Sequence, residues 1–129
     1  MSDDIWSRTA GKMREIHTEE LGETLRVCVD EIGADVVVID WREATSAFDA
    51  LAVMATRLGF PDYFGSNLDA LYDVASERAA AARPEMPPQV WLIKSSVAQQ
   101  KQWFSIKDTL QDAMSDAAGV AVTILWWVV

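Results

Sequence analysis

An α/β fold with a small, mostly parallel sheet is predicted from three observations: short β-rich runs, amphipathic segments of helical length between them, and glycines at the helix ends. The 129 residues form one ordinary domain, a size that buries about 68% of the unfolded chain's surface and so carries a real core. Leu21, Leu25, Cys28 and Ile32 recur at steps of 4, 3 and 4, one stripe of a helix over Glu19 to Ile32 that Gly33 closes. Val36 to Ile39 is β-branched throughout and apolar on both faces, as expected of a central, parallel strand. A second helix is expected from Ser46 to Leu58, capped by Thr45 or Ser46 and stopped by Gly59, with Phe48, Leu51, Ala52, Ala55 and Leu58 facing inward.

Phe60 to Asn67 reads as a loop, and Ser66 with Asp69 resembles a capping box opening a third helix that runs to Ala80. The small-residue and proline-rich stretch Ala79 to Pro88 connects to a second strand, Gln89 to Lys94. Ser96 to Ala118 holds one or two helices with Trp103, Phe104, Ile106, Leu110, Ala113, Met114 and Ala117 as inward candidates. Gly119 ends them before a third strand, Val120 to Val128. Trp91, Trp103 and Trp126 read as core, while Trp127 alternates to the other face and with Val128 and Val129 could form a self-association patch.

The charge balance, 11 Lys and Arg against 20 Asp and Glu, leaves a net −9 and argues against nucleic acid or an anionic membrane as partner. A basic protein is the complement. The apolar run Val120 to Val129 is half a bilayer span, Met1 to Lys12 has no apolar stretch resembling a signal peptide, and Cys28 is the single cysteine, so a cytoplasmic location is expected. An enzyme is not expected. His17, the only histidine, lies about 16 Å from Cys28 along a helix axis, and no two glycines are close enough for a phosphate cradle. A metal site at Asp62, Asp69 and Asp73 would lack His or Cys support, and neither metal nor cofactor is expected.

One segment stands out. At about 100° per residue, Leu68, Leu71, Tyr72 and Ala75 share one helix face and Asp69, Asp73 and Glu77 the other. Between Phe60 and Glu77 there are four acids and no base. Like charges four apart cost the helix roughly 0.2–0.5 kcal/mol, and Tyr63 and Phe64 just before it supply the aromatic content of a protein interface. Asn67 reads as a cap or brace of the loop, and Gly65 as a position of positive φ.

Phe60-Pro-Asp-Tyr-Phe-Gly-Ser-Asn-Leu-Asp-Ala-Leu-Tyr-Asp73 resembles the signature of the barstar family, intracellular inhibitors of barnase-type ribonucleases. The resemblance covers about Asp35 to Val129 and leaves Met1 to Ala34 as an extension with one helix. It implies a layered fold with a three-stranded parallel sheet and a partner-binding surface of Tyr63, Phe64, Asn67, Asp69, Tyr72, Asp73 and Glu77. By that similarity Asp73 would take the place of the scissile phosphate, Asp69 would meet a neighbouring base, Tyr63 would pack on the catalytic His, and Tyr72 would line the rim. The implied protein is a monomer or weak homodimer that protects its cell from a secreted or antagonistic ribonuclease. The alternative is an interaction module of the same fold whose basic partner is not a nuclease. The chain departs from the family pattern at Tyr72, where Trp is usual, and at Met114, where the family offers a glutamate, flanked here by Asp112 and Asp116.

Overall fold

The computed structural model describes residue 6 and residues 8–61, 65, 67–80, 86–117 and 121–129. Along the chain run β1 (Met13–Ile16), α1 (Thr18–Arg26) continued by a π-helical turn (Val27–Glu31), β2 (Asp35–Asp40) and a 3-10 turn (Trp41–Glu43). There follow α2 (Ala47–Leu58), α3 (Leu68–Ala80), β3 (Gln89–Ser95), α4 (Val97–Gln102), α5 (Phe104–Ala117) and β4 (Val122–Val128). The strands form one parallel sheet in the order β1-β4-β3-β2. Among the described residues no helix is long and apolar enough to cross a membrane.

The sheet has four strands where three were expected, because the N-terminal extension adds β1 as well as a helix. Met-Arg-Glu-Ile is too short and too charged to announce a strand by pattern. Its register runs from Met13 opposite Ile124 to Ile16 opposite Trp127. The approach to it is also stitched down: the Gly11 N–H donates to Thr123 Oγ1 at 2.9 Å, and the Ile124 N–H to the Lys12 carbonyl at 3.0 Å. Gly11 reaches this position with a φ of 69°. Thr123, the polar interruption in an apolar strand, is fully buried and has this bond as its reason.

Side chains alternate between the two faces of the sheet, as the strand period requires. Trp91, Ile93, Val122, Ile124 and Trp126 join the larger core under α2, α3 and α5, whereas Ile16, Val90, Leu92 and Leu125 form a second core with Cys28 and Ala34, against which Leu21 and Leu25 pack. The result is three layers, α1 on one face and the other long helices on the opposite one. Within the larger core Trp41 meets Trp103 and Trp126 edge-on, at ring centroids of 5.4 and 5.1 Å. Trp127 packs against the second core, donates to Thr18 Oγ1 at 3.1 Å and lies under Lys94 Nζ at 4.4 Å, so it is not the open apolar patch it could have been.

β2 is parallel as expected but occupies an edge of the sheet, and Val38 is 48% exposed there. A run of four β-branched residues shows apolar faces but not whether a neighbouring strand lies beyond. The first helix gives way after Arg26 to the π turn, whose wider step moves the buried stripe onto Thr24, Val27 and Cys28 and leaves Ile32 only partly covered. In α2 the inward row is Ala50, Leu51, Met54 and Leu58, with Phe48 63% exposed; in α5, Phe104 is 61% exposed. Both phenylalanines stand in the first turn of their helices and point about 100° or more around the axis from the buried face. The Ser46 cap accepting from Asp49 N–H and the left-handed Gly59 close α2 as its sequence demands.

Candidate functional site

α3 carries the candidate surface, and two described residues before it, Phe60 and Asn67, are each held in place. Phe60 is buried against Trp91 in an edge-on contact at 6.3 Å. Asn67 caps α3, its side-chain Oδ1 accepting the Ala70 N–H at 2.8 Å while its carbonyl accepts that of Leu71 at 3.0 Å. Asn67 thus takes the role expected of the Ser66 and Asp69 pair; Ser66 lies outside the described residues. So do Asp62, Tyr63 and Phe64. At Gly65 the constraint on view is steric, since a Cβ there would sit 2.8 Å from the Asn67 amide nitrogen.

The buried face of α3 is Leu71, Val74, Ala75 and Ala79. Leu68, expected on that face, is 37% exposed, and Tyr72 is half-buried at its border. The buried face is therefore shifted by a fraction of one residue step, away from Leu68 and Tyr72, which brings Val74 under cover. Asp69, Asp73 and Glu77 are all exposed along one strip. Among the described residues none of the three pairs with a cation. Asp69 lies in the first turn, where the helix dipole favours a negative charge.

Arg78, the first base after this acidic run, is turned away from the strip. Its Nη1 donates to the Leu58 carbonyl at 2.5 Å and its Nη2 to the Gly59 carbonyl at 3.0 Å, with the guanidinium 5.2 Å over the Phe60 ring. Sequence reasoning passed over this residue; being basic in the last helical turn is its only local signal, and its partners come from the end of α2. Holding Arg78 there keeps the strip free of an internal counter-charge.

α5 packs beside α3 and settles where an acid could stand on that helix. Met114 is 5% exposed within the larger core, so the family's acidic contact is absent at this position. Asp108, Asp112 and Asp116 are exposed at helical spacing, and none pairs with a cation among the described residues. The Tyr72 hydroxyl donates to Asp116 Oδ2, joining the two helices. That hydrogen bond first, then burial and the charges of Asp116 and Asp112, push the Tyr72 phenol above its ordinary range. Cys28 is buried in the second core, on the other side of the sheet, and burial raises its thiol in the same sense. No group of three metal-ligating side chains occurs among the described residues.

Fold and site together define a layered α/β protein that presents an acidic helix face without a cation partner among the described residues. A family model described as Barstar (barnase inhibitor) matches residues 34–126, and the chain belongs to the barstar family. The family is one of inhibitors rather than enzymes. No curated protein matches the chain. β1 and α1 lie before the matched residues.

Proposed function

We propose that this protein inhibits a basic ribonuclease of the barnase type by laying the α3 strip and the preceding aromatic segment into its active site. The observation that carries the reading is the strip of Asp69, Asp73 and Glu77, exposed and without a cation partner among the described residues, in a chain of the barnase-inhibitor family. A site that cleaves RNA is cationic, so carboxylates meet it with long-range attraction and with charge-assisted hydrogen bonds once docked. Asp73 takes the place of the scissile phosphate, Asp69 pairs with a neighbouring base, and Glu77 extends the row. Tyr63 packs on the catalytic His, Phe64 packs alongside, Tyr72 lines the rim, and Asn67 fixes the start of the helix on which all of this depends. The burial of Met114 favours a target whose basic rim differs from that of barnase.

The test is inhibition of a panel of barnase-type ribonucleases, barnase included, by the wild type and Asp73→Ala. The expected loss is about 2–5 kcal/mol, a range drawn in part from barnase complexes, with the thermal midpoint hardly changed. Undiminished inhibition by the variant would move the docking surface elsewhere. Binding of a basic protein without inhibition of any nuclease would favour an interaction module with another partner.

A further inference from the structure

Tyr72 and Asp116 belong to different helices, α3 and α5, yet the phenol hydroxyl donates directly to the Asp116 carboxylate. This is the hydrogen bond between side chains of α3 and α5 among the described residues, and Asp116 forms no ion pair there. Its position explains why. Tyr72 is half-buried against the larger core, so its ring is gripped along one edge while the hydroxyl reaches over to the neighbouring helix. In sequence it stands between Asp69, one turn before, and Asp73, the next residue. A tyrosine has only two side-chain torsions, so packing along the ring and an acceptor at its tip together restrict its orientation.

We infer that Asp116 is a positioning residue of the docking surface: it holds the Tyr72 ring beside Asp69 and Asp73 in the orientation the partner meets, and acts through Tyr72 rather than on the partner. The assignment rests on the docking reading above. Its physical content is preorganisation, because a ring already ordered in the free protein loses no rotamer freedom on binding. One immobilised side chain corresponds to about three- to tenfold in affinity. The same bond makes the phenol harder to ionise in the free protein, a property that owes nothing to any partner.

Two measurements test it. The first is the inhibition constant, against the most strongly inhibited member of the ribonuclease panel at physiological salt, for the wild type, Asp116→Ala, Asp116→Asn, Tyr72→Phe and the Asp116→Ala, Tyr72→Phe double variant. The second is the alkaline absorbance titration of the free proteins, with Tyr72→Phe assigning the Tyr72 step. Asp116→Ala and Tyr72→Phe should each weaken inhibition about three- to tenfold, and the double variant no more than the worse single one. Asp116→Asn, which keeps an acceptor oxygen, should recover most of the loss, and the Tyr72 step should move to lower pH in Asp116→Ala. An equal loss from Asp116→Ala in the Tyr72→Phe background would show Asp116 acting on the partner itself and overturn the assignment. An unmoved Tyr72 step would overturn it too, since the hydrogen bond would then be absent in solution. A wild type that inhibits no member of the panel overturns the docking reading and this assignment with it, while the titration reports separately on the bond.

Discussion

Arg78 donates to the carbonyl of Gly59 across 19 positions of sequence, and to that of Leu58 beside it, so the last turn of α3 holds the last turn of α2. The carbonyls at a helix end have no partner within the helix and carry the negative end of its dipole, which makes a guanidinium a good closure. The same contact fixes the direction in which the chain leaves α2 toward the candidate surface.

Arg78→Met, which keeps the stem but not the donors, should therefore destabilise the fold by about 1–2 kcal/mol in urea denaturation. Arg78→Lys should restore only part of this, because one ammonium cannot match two carbonyls and the Phe60 ring at once. A change below a few tenths of a kcal/mol would mean that water satisfies these carbonyls equally well.

Removal of residues 1–33 should abolish cooperative folding. The cut strips Ile16, Val27 and Cys28 from the interior and uncovers Val90, Leu92 and Leu125. Each fully buried side chain of this kind contributes about 1.5–3 kcal/mol, so their sum is comparable with the whole stability of a domain. Circular dichroism melts and gel filtration of the truncated chain would show this, and a sharp melt within a few degrees of the wild type would contradict it. The segment supplies a strand of the sheet and part of the second core although the family match begins after it.

Association with the inhibited ribonuclease should slow at least about tenfold between 10 and 150 mM salt, as the screening length shrinks from about 30 to 8 Å. Stopped-flow mixing reads this directly. Neutralising Asp69 and Glu77 together should flatten the dependence, and a rate indifferent to salt would argue against the acidic strip as the docking surface.

The Arg42 side chain, hydrogen-bonded to the carboxylate of Asp40, holds that group below the ordinary carboxylate range. The lowered value favours the ionised form in the fold, so its contribution is present above the unfolded value of about 3.9 and disappears as pH falls through the lower folded value. The Arg42 side chain is about half exposed, and solvent screening there keeps the effect small. The stability gap between the wild type and Asp40→Asn should hence be widest above pH 4 and close toward pH 2.

Local chemistry made much of this molecule legible from its residues. Ser46 and Gly59 bound α2 because a hydroxyl cap and a left-handed glycine act within one turn, and the acids of α3 share a strip because helical spacing alone places them there. What stayed hidden depends on distant partners. β1 exists only because β4 offers it an edge, β2 is an edge strand because among the described residues it pairs with β3 alone, and Phe48 lies outside because α2 rolls to bury Met54. At the candidate site, the Asp116 contact to Tyr72 and the turning away of Arg78 arise from packing between helices, which no single helix can announce.

The two lateral borders of the sheet have a consequence for how this acidic chain behaves when abundant. β1 is four residues long and carries Arg14 and Glu15, while β2 begins at Asp35 and ends at Asp40. A short strand with charges, and a longer one with a carboxylate at each end, both discourage another chain from continuing the ladder. Both borders thus carry charges that disfavour strand addition to a parallel sheet rich in tryptophan and valine.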